Sequence, residues 1–255
     1  KRVIEYHVVT KGSCWGALVG GEPVHLKTGD IMILAQGDAH VLSSDPGMHT
    51  EPDMSIYQAP DNMQLPMPLV AGSGDGEEAH IVCGFLGYDA AARHPLLDVL
   101  PRIIHAPAAA REAGNWLDVF IPAAVAECEN KRPGGESILG RMSELMFVEV
   151  VRQYVESLPL AERGWLAGLR DKSVGRALNL MHGRPAHCWT LEEMAEEIGL
   201  SRSSLAERFS EFVGCPPMQY LTNWRMQLAT GLLSSGNTNI AEIAEQVGYE
   251  SEAAF

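Results

Sequence analysis

Sheet first and helices afterwards is the order that the hydrophobic patterning of this chain predicts, and with it an α+β fold. Three observations carry that expectation. Apolar residues recur with a period near two over residues 1–89, and from 96 onward the period lengthens to that of an α-helix. Near the C-terminus one short pattern occurs twice: Ala195-Glu196-Glu197-Ile198-Gly199 returns 49 positions later as Ala244-Glu245-Gln246-Val247-Gly248. A small residue, then glycine four positions on, suits two helices that cross closely at a tight turn. The alanine permits the approach and the glycine accepts the left-handed turn.

Candidate strands cover residues 3–9, 14–19, 23–26, 31–34, 40–43 and 80–86. Turn-forming clusters separate them: Gly20-Gly21, Thr28-Gly29-Asp30, Gly37-Asp38 and Asp45-Pro46-Gly47. Short strands at this spacing predict a small β-barrel or jelly roll over 1–95. Residues 51–78, with several Pro, Gly, Asp and Met and little periodicity, read as a long loop. Helices are expected at 97–104, 115–129 and 136–158. The third is led in by Pro133-Gly134-Gly135 and repeats apolar residues at Ile138, Leu139, Met142, Leu145, Met146, Val150 and Tyr154. That stripe suits a homodimer interface, which makes 96–163 a helical dimerisation region; packing on the chain's own strands is the plainer alternative.

Residues 164–255 read as an all-α domain with two helix-turn-helix units. A first helix spans 173–182. Thr190 and Glu193 form a capping box for a helix over 191–198, in which threonine takes an amide of the first turn and the glutamate reaches back. Ser201 caps the next helix, 202–213, the first candidate for a recognition helix. Pro216-Pro217 opens a linking helix over 218–233 with Tyr220, Leu221, Trp224, Leu228 and Leu232 on its buried side. Asn239 starts a helix over 240–247, and Glu250-Ser251 leads into a final helix cut short at Phe255.

In the first unit Leu205 and Phe209, spaced i and i+4, turn inward together. Arg202, Ser203, Ala206 and Glu207 then face outward. Arginine there donates to guanine or phosphate, serine to either, alanine meets a thymine methyl, and a carboxylate accepts from cytosine N4 but repels phosphate. Arg208 is read as a phosphate contact or a partner of Glu211, and Arg225 as a phosphate contact or half of an internal salt bridge. Ser251 and Glu252 begin the equivalent surface of the second unit. Two recognition helices on one side of a duplex stand roughly 34 Å apart.

Against DNA stands a formal charge of −14, since neutralising phosphates demands Lys and Arg. Much of the acid lies before residue 165, which weakens the objection and predicts modest non-specific affinity with dependence on dimerisation. Five scattered cysteines form neither a disulfide framework nor a zinc-finger spacing. No apolar run approaches the roughly 20 residues that span a bilayer, and no signal peptide is evident. A cytoplasmic location without membrane contact is the expectation.

The order Trp165, Leu169-Arg170-Asp171, Trp189-Thr190-Leu191, Met194-Ala195, Gly199-Leu200-Ser201-Arg202-Ser203-Ser204-Leu205, Arg208-Phe209, Gly214, Pro217, Tyr220, Trp224-Arg225-Met226, Leu228-Ala229, Ile243-Ala244 and Val247-Gly248-Tyr249-Glu250-Ser251 resembles the AraC/XylS family of bacterial transcription regulators. His7-Val8-Val9, Gly12-Ser13-Cys14-Trp15, Leu26, Gly29-Asp30, Leu34, Gly37-Asp38-Ala39-His40 and Val82-Cys83-Gly84 resemble the cupin-like sensor on one branch of that family. The resemblance implies a non-enzymatic regulator, activation of transcription being the leading mode, with double-stranded promoter DNA, RNA polymerase and a small-molecule or oxidant effector as partners. Two departures stand out. Glu207 occupies a position that is commonly basic, and the second unit ends before the arginine and aromatic residue that the family carries further on.

The alternative is a cupin-type metalloenzyme with a helical accessory domain, but 12–20 lacks the histidine pair such enzymes carry. A protein-binding adaptor is the third reading. His7, Cys14, His40 and Cys83 are the candidates for effector or redox sensing. No cofactor is expected. A metal held by His7, His40 and Cys83 is the less favoured reading beside ordinary buried polar side chains. The histidines are expected to lower the pKa of Cys14 and Cys83 if those thiols react.

Overall fold

The computed structural model describes residues 2–48, 69–70, 76–88, 95–159, 161–234, 236 and 239–255. They form two compact units, one from the described parts of 2–87 and 101–153, the other from 154–255 with 88–100. The long loop read over 51–78 lies outside the described residues except at 69–70 and 76–78.

In the first unit the strands are β1 (Arg2–Lys11), β2 (Ser13–Leu18), β3 (Val24–Lys27), β4 (Ile31–Leu34), β5 (His40–Ser43), β6 (His80–Tyr88) and β7 (Ile103–Ala106). The strands fall in two sheets, ordered β6-β1-β4-β7 and β3-β2-β5, the layering of the expected jelly roll; among the described residues no strand pairing joins the two sheets into one closed barrel. Within them β1 pairs antiparallel with β4, His7 standing opposite Met32, and β2 pairs antiparallel with β5, Leu18 standing opposite His40. Alternation along β1 explains the layering. Val9 meets Met32, Leu34, Cys14 and Leu26 in a core drawn from both sheets, so Glu5 and His7, at the same parity, lie on the face between the sheets. Tyr6, on the opposite face, shares a 2.6 Å hydrogen bond with Ser143 of α3 (Gly135–Ser157).

One helix expected from the sequence is wrong. Residues 97–104 split into a short α1 (Pro95–Val99) and the start of β7, whose register sets Ile104 opposite Ile33 and Ile103 opposite Leu34. The apolar run is equally compatible with either period over so few residues. Pairing with β4, some seventy positions away in sequence, decides it. The two remaining helices agree with expectation: α2 (Leu117–Asn130) and α3. On α3, Met146, Val150 and Val151 are buried while Ile138, Leu145 and Val148 are exposed, so the stripe divides into an inner and an outer face.

The second unit comprises α4 (Trp165–Arg170), α5 (Lys172–Gly183), α6 (Leu191–Ile198), α7 (Arg202–Val213), α8 (Pro217–Ser234) and α9 (Ile240–Gln246). Four of these starts are chemically specified. The carboxylate of Asp171 accepts from the amides of Ser173 and Val174, Thr190 from Glu193, Ser201 from Ser204, and Asn239 from Glu242. Between α6 and α7, Gly199 turns at φ +81° and closes α6 on Ala195. One core gathers Val174, Leu178, Met181, Met194, Leu205, Phe209, Leu221 and Trp224. Ala229, Ile243 and Val247 build a smaller one with Leu228 and Leu232. The linking helix α8 therefore serves both cores, Tyr220, Leu221 and Trp224 on one side and Leu228, Ala229 and Leu232 on the other. Where a final helix was expected, residues 250–255 form turns in which the Ser251 carbonyl accepts from Ala254 and Phe255. Five residues past Glu250 close too few backbone bonds to offset helix nucleation.

Candidate DNA-binding surface and sensor cluster

Leu205 and Phe209 are completely buried, which fixes the rotation of α7 and turns its other side outward. Arg202, Ser203 and Ala206 line an open concavity with Leu191 and Ser201, as the sequence placed them. A neighbouring hollow is lined by Ser173, Leu200, Ser204, Glu207, Arg208 and Glu211. Arg202 is exposed and ion-paired with Glu192 of α6. A surface pair of this kind contributes ~1 kcal/mol or less, so a phosphate or a guanine can displace it. Glu207, Ser251 and Glu252 are exposed.

Two arginines differ from their expected roles. Arg208 pairs with Asp171 rather than Glu211, its Nε at 3.0 Å from both carboxylate oxygens, while Glu211 pairs with Arg163 at 2.7 Å. The Arg208 guanidinium beside Asp171 holds that carboxyl below the usual carboxylate range, in spite of its burial, and the amides of Val174 and Ser173 add to the effect. Arg225 meets carbonyls where an internal carboxylate was one of its two expected partners. It donates to the carbonyls of Pro185 and His187, both at 2.8 Å, and lies 5.7 Å from the centre of the Tyr249 ring. A rigid guanidinium fork reaches two carbonyls at once where a carboxylate was expected. Sequence spacing gave no sign of this, because the loop that supplies the carbonyls lies about forty residues upstream.

Gly248 completes the arrangement. A β-carbon at Gly248 would stand 2.7 Å from both Cα and the carbonyl oxygen of Ala186 and 2.8 Å from Nη2 of Arg225, and its φ of +92° already excludes most side chains. The turn of the second helix-turn-helix unit is thus seated on the loop before α6 of the first.

In the sheet-bearing unit two of the sequence candidates, His40 and Cys83, meet His7, while Cys14 packs in the core with Val9, Leu26, Met32 and Leu34. His7 Nδ1 lies 3.0 Å from Cys83 Sγ and its Nε2 lies 2.7 Å from His40 Nε2. His40 Nδ1 lies 3.0 Å from the carbonyl of Asp38. A carbonyl only accepts, so a proton sits on His40 Nδ1, and in the neutral ring Nε2 then carries the lone pair. His7 then donates from Nε2 to His40, and its Nδ1 accepts from the Cys83 thiol. Glu5, which the sequence reading passed over, places Oε2 3.4 Å from His40 Nδ1.

Burial, followed by the positive charge His40 would carry, pushes the His7 pKa down to about 3, so its imidazole is neutral. The thiols move opposite to expectation. Burial, with Cys14 and Glu5 adding to it, raises Cys83 to about 11. Cys14 is raised as well, by burial and then by Asp30. Desolvation disfavours the thiolate at both positions. Asp30, buried at the start of β4, is spent on structure: it accepts from the amides of Lys27 and Ala108 at 3.0 and 2.8 Å.

A sheet-bearing unit that brings His7, His40 and Cys83 together, followed by a helical unit that carries a helix-turn-helix over α6 and α7, is the order of a DNA-binding regulator with a sensor part, and comparison with known proteins agrees. Residues 1–156 match the Cupin family and residues 194–255 match the Helix-turn-helix domain. The chain is 35% identical over 258 residues to a Putative AraC-like transcription regulator of Streptomyces lividans, spanning 100% of this chain and 82% of that one. It is 30% identical to the HTH-type transcriptional regulator AlkR of Acinetobacter baylyi, over 98% of this chain and 81% of that one. To the RCS-specific HTH-type transcriptional activator RclR of Escherichia coli it is 28% identical, over 99% and 78% respectively. The chain belongs to the AraC-like family of transcription regulators and is a sequence-specific DNA-binding regulator with a cupin-like ligand-binding part. No helix among the described residues is long and apolar enough to cross a membrane.

Proposed function

We propose that this regulator activates transcription by docking α7 in the major groove of promoter DNA and bringing RNA polymerase to the site. The outward face of α7 carries the reading. Arg202, Ser203 and Ala206 surround an open concavity, and the serine cap and buried Leu205 and Phe209 hold their helix rigid. Ser251 and Glu252 contact the adjacent groove segment, while Arg208 and Arg225 support the domain from within and reach no base. Two copies pair through residues 136–158 of α3, where Ile138, Leu145 and Val148 are exposed. Activation is favoured because one of the relatives is named as an activator. The relatives' naming as regulators also supports binding rather than catalysis.

The signal enters at His7, Cys14, His40 and Cys83. Cys14 is buried, and both thiols have raised pKa values that leave little of the reacting thiolate, which favours a bound effector over direct oxidation even though Cys83 is exposed.

The test is gel-shift titration on duplexes selected by the full chain from a randomised pool. Affinity should fall steeply as salt rises, and Arg202→Ala should weaken binding by ~1–3 kcal/mol, about five- to 150-fold. Failure to select any duplex, or salt-insensitive binding that Arg202→Ala leaves unchanged, would overturn the reading.

A further inference from the structure

We propose that Glu192 determines the base specificity of the first helix-turn-helix unit: by holding one side of the Arg202 guanidinium it directs the other side to a guanine in the major groove and turns phosphates away. The inference deepens the reading of α7 as the groove-docked helix and rests on it.

The two side chains meet because of how their helices begin. Thr190 caps α6 through the amide of Glu193, and Ser201 caps α7 through the amide of Ser204. Glu192 stands in the first turn of α6, and Arg202 is the first residue of α7. An ion pair between Arg202 Nη1 and Glu192 Oε1 joins the two starts. Leu191, beside Glu192, lines the same concavity as Arg202, Ser203 and Ala206, so the carboxylate borders the surface that meets DNA. The other acid of that turn, Glu193, is held by His187 Nε2 at 2.7 Å. Among the described residues Glu192 is the only carboxylate that pairs with Arg202.

A contact at Nη1 leaves Nε and Nη2, two donors that lie side by side in the planar fork and match guanine O6 and N7. A guanine therefore meets Arg202 while the ion pair stays in place. A phosphate is treated differently. Its oxygens compete for the charge that Glu192 already neutralises, and within a Debye length of ~8 Å the carboxylate repels them. The side chains of Arg202 and Glu192 are 62% and 55% exposed, so their pairing adds little to folding. Its effect falls on the choice between two ligands. Specificity is a difference of affinities, and a repulsive group set against the wrong ligand widens it. An acid on the helix that crosses the DNA backbone in this motif thereby gains a role.

The experiment uses the full chain, its selected duplex, versions of that duplex with each G·C pair replaced by A·T, and an unrelated duplex of equal length. Competition gel shifts are run over a salt series. Wild type should lose roughly five- to 150-fold in affinity at one G·C pair. Arg202→Lys, which keeps the charge and loses the fork, should abolish that discrimination. Glu192→Gln should shrink it by about three- to fivefold, the scale of one exposed ion pair. The same variant should bind the unrelated duplex more tightly, with a log–log salt slope steeper by about 0.9, one added phosphate contact. Glu196→Gln removes an equal charge from the exposed side of α6 without touching the Arg202 pair, and should leave guanine discrimination unchanged. Thermal unfolding checks folding, and Glu192→Ala, equally compatible with a helix, repeats the test if Glu192→Gln misfolds. Discrimination that survives Glu192→Gln, or falls as much in Glu196→Gln, overturns the proposal and leaves Glu192 a solvated charge. A uniform loss in Arg202→Ala, with no base pair favoured, makes Arg202 a phosphate contact and overturns it too. If Arg202→Ala removes discrimination and Glu192→Gln does not, only this inference falls; if Arg202→Ala changes nothing, the docking of α7 falls with it.

Discussion

Asp171 does two jobs with one carboxylate. It caps α5 through the amides of Ser173 and Val174, and it holds Arg208 of α7. Removing both in Asp171→Ala should cost ~1–2 kcal/mol for the cap alone, measured by urea denaturation. Asn keeps the capping oxygen and loses the charge, so Asp171→Asn isolates the ionic part. Because the folded pKa is depressed, that part is fully present above the unfolded value of about 4 and is lost as pH falls through the folded one. The stability gap between wild type and Asp171→Asn should therefore close on acidification below about pH 4; a gap independent of pH would assign Arg208 no role in stability. At this scale the sequence was partly legible. His7, His40 and Cys83 were singled out by type and do meet, whereas Glu5 looks like any polar residue of an alternating strand. Its significance arises when a second sheet brings His40 alongside, a contact of 35 residues' separation that local patterning does not encode.

Elements were easier to read where their ends carry chemistry. Thr190, Ser201 and Asn239 each cap the helix they were expected to start, because capping is local and side-chain specific. The strand β7 was misread for the opposite reason: nothing within 97–104 selects strand over helix, and only β4 does. The linking helix α8 was recognised by its apolar positions, yet its division between two cores and its strap to the loop at 185–187 were not. That strap makes a prediction. Gly248→Ala places a methyl against the Ala186 backbone at a φ of +92°; the left-handed backbone alone costs ~1–2 kcal/mol. Thermal unfolding should shift down, and affinity for a duplex carrying both half-sites should drop more than affinity for one carrying a single half-site. Equal losses on the two duplexes would mean that the contact stabilises the domain without setting the spacing of its units.

The balance of charge belongs to the whole molecule. From Gly164 to Phe255 seven basic side chains face eleven acidic ones, and Arg163, Arg176, Arg184, Arg202 and Arg208 all have carboxylate partners. Little uncompensated positive charge is left to attract phosphates, so one copy should hold DNA weakly and two copies together much better. Leu145→Asp, on the exposed side of α3, should sediment as a monomer and lose at least tenfold in apparent DNA affinity. A variant that remains dimeric would move the interface away from α3. The two-part architecture was legible from the change in hydrophobic period and from the repeated motif. The order of strands within the two sheets was not, since strand partners are chosen over long sequence separations. Finally, the strap of Arg225 and the seat of Gly248 on Ala186 bear on how such regulators diversify. Grafting one unit from a relative to retarget a promoter would part a knob from its socket. Chimeras should succeed only when the crossover carries 185–187, 225 and 248 as a single heritable block.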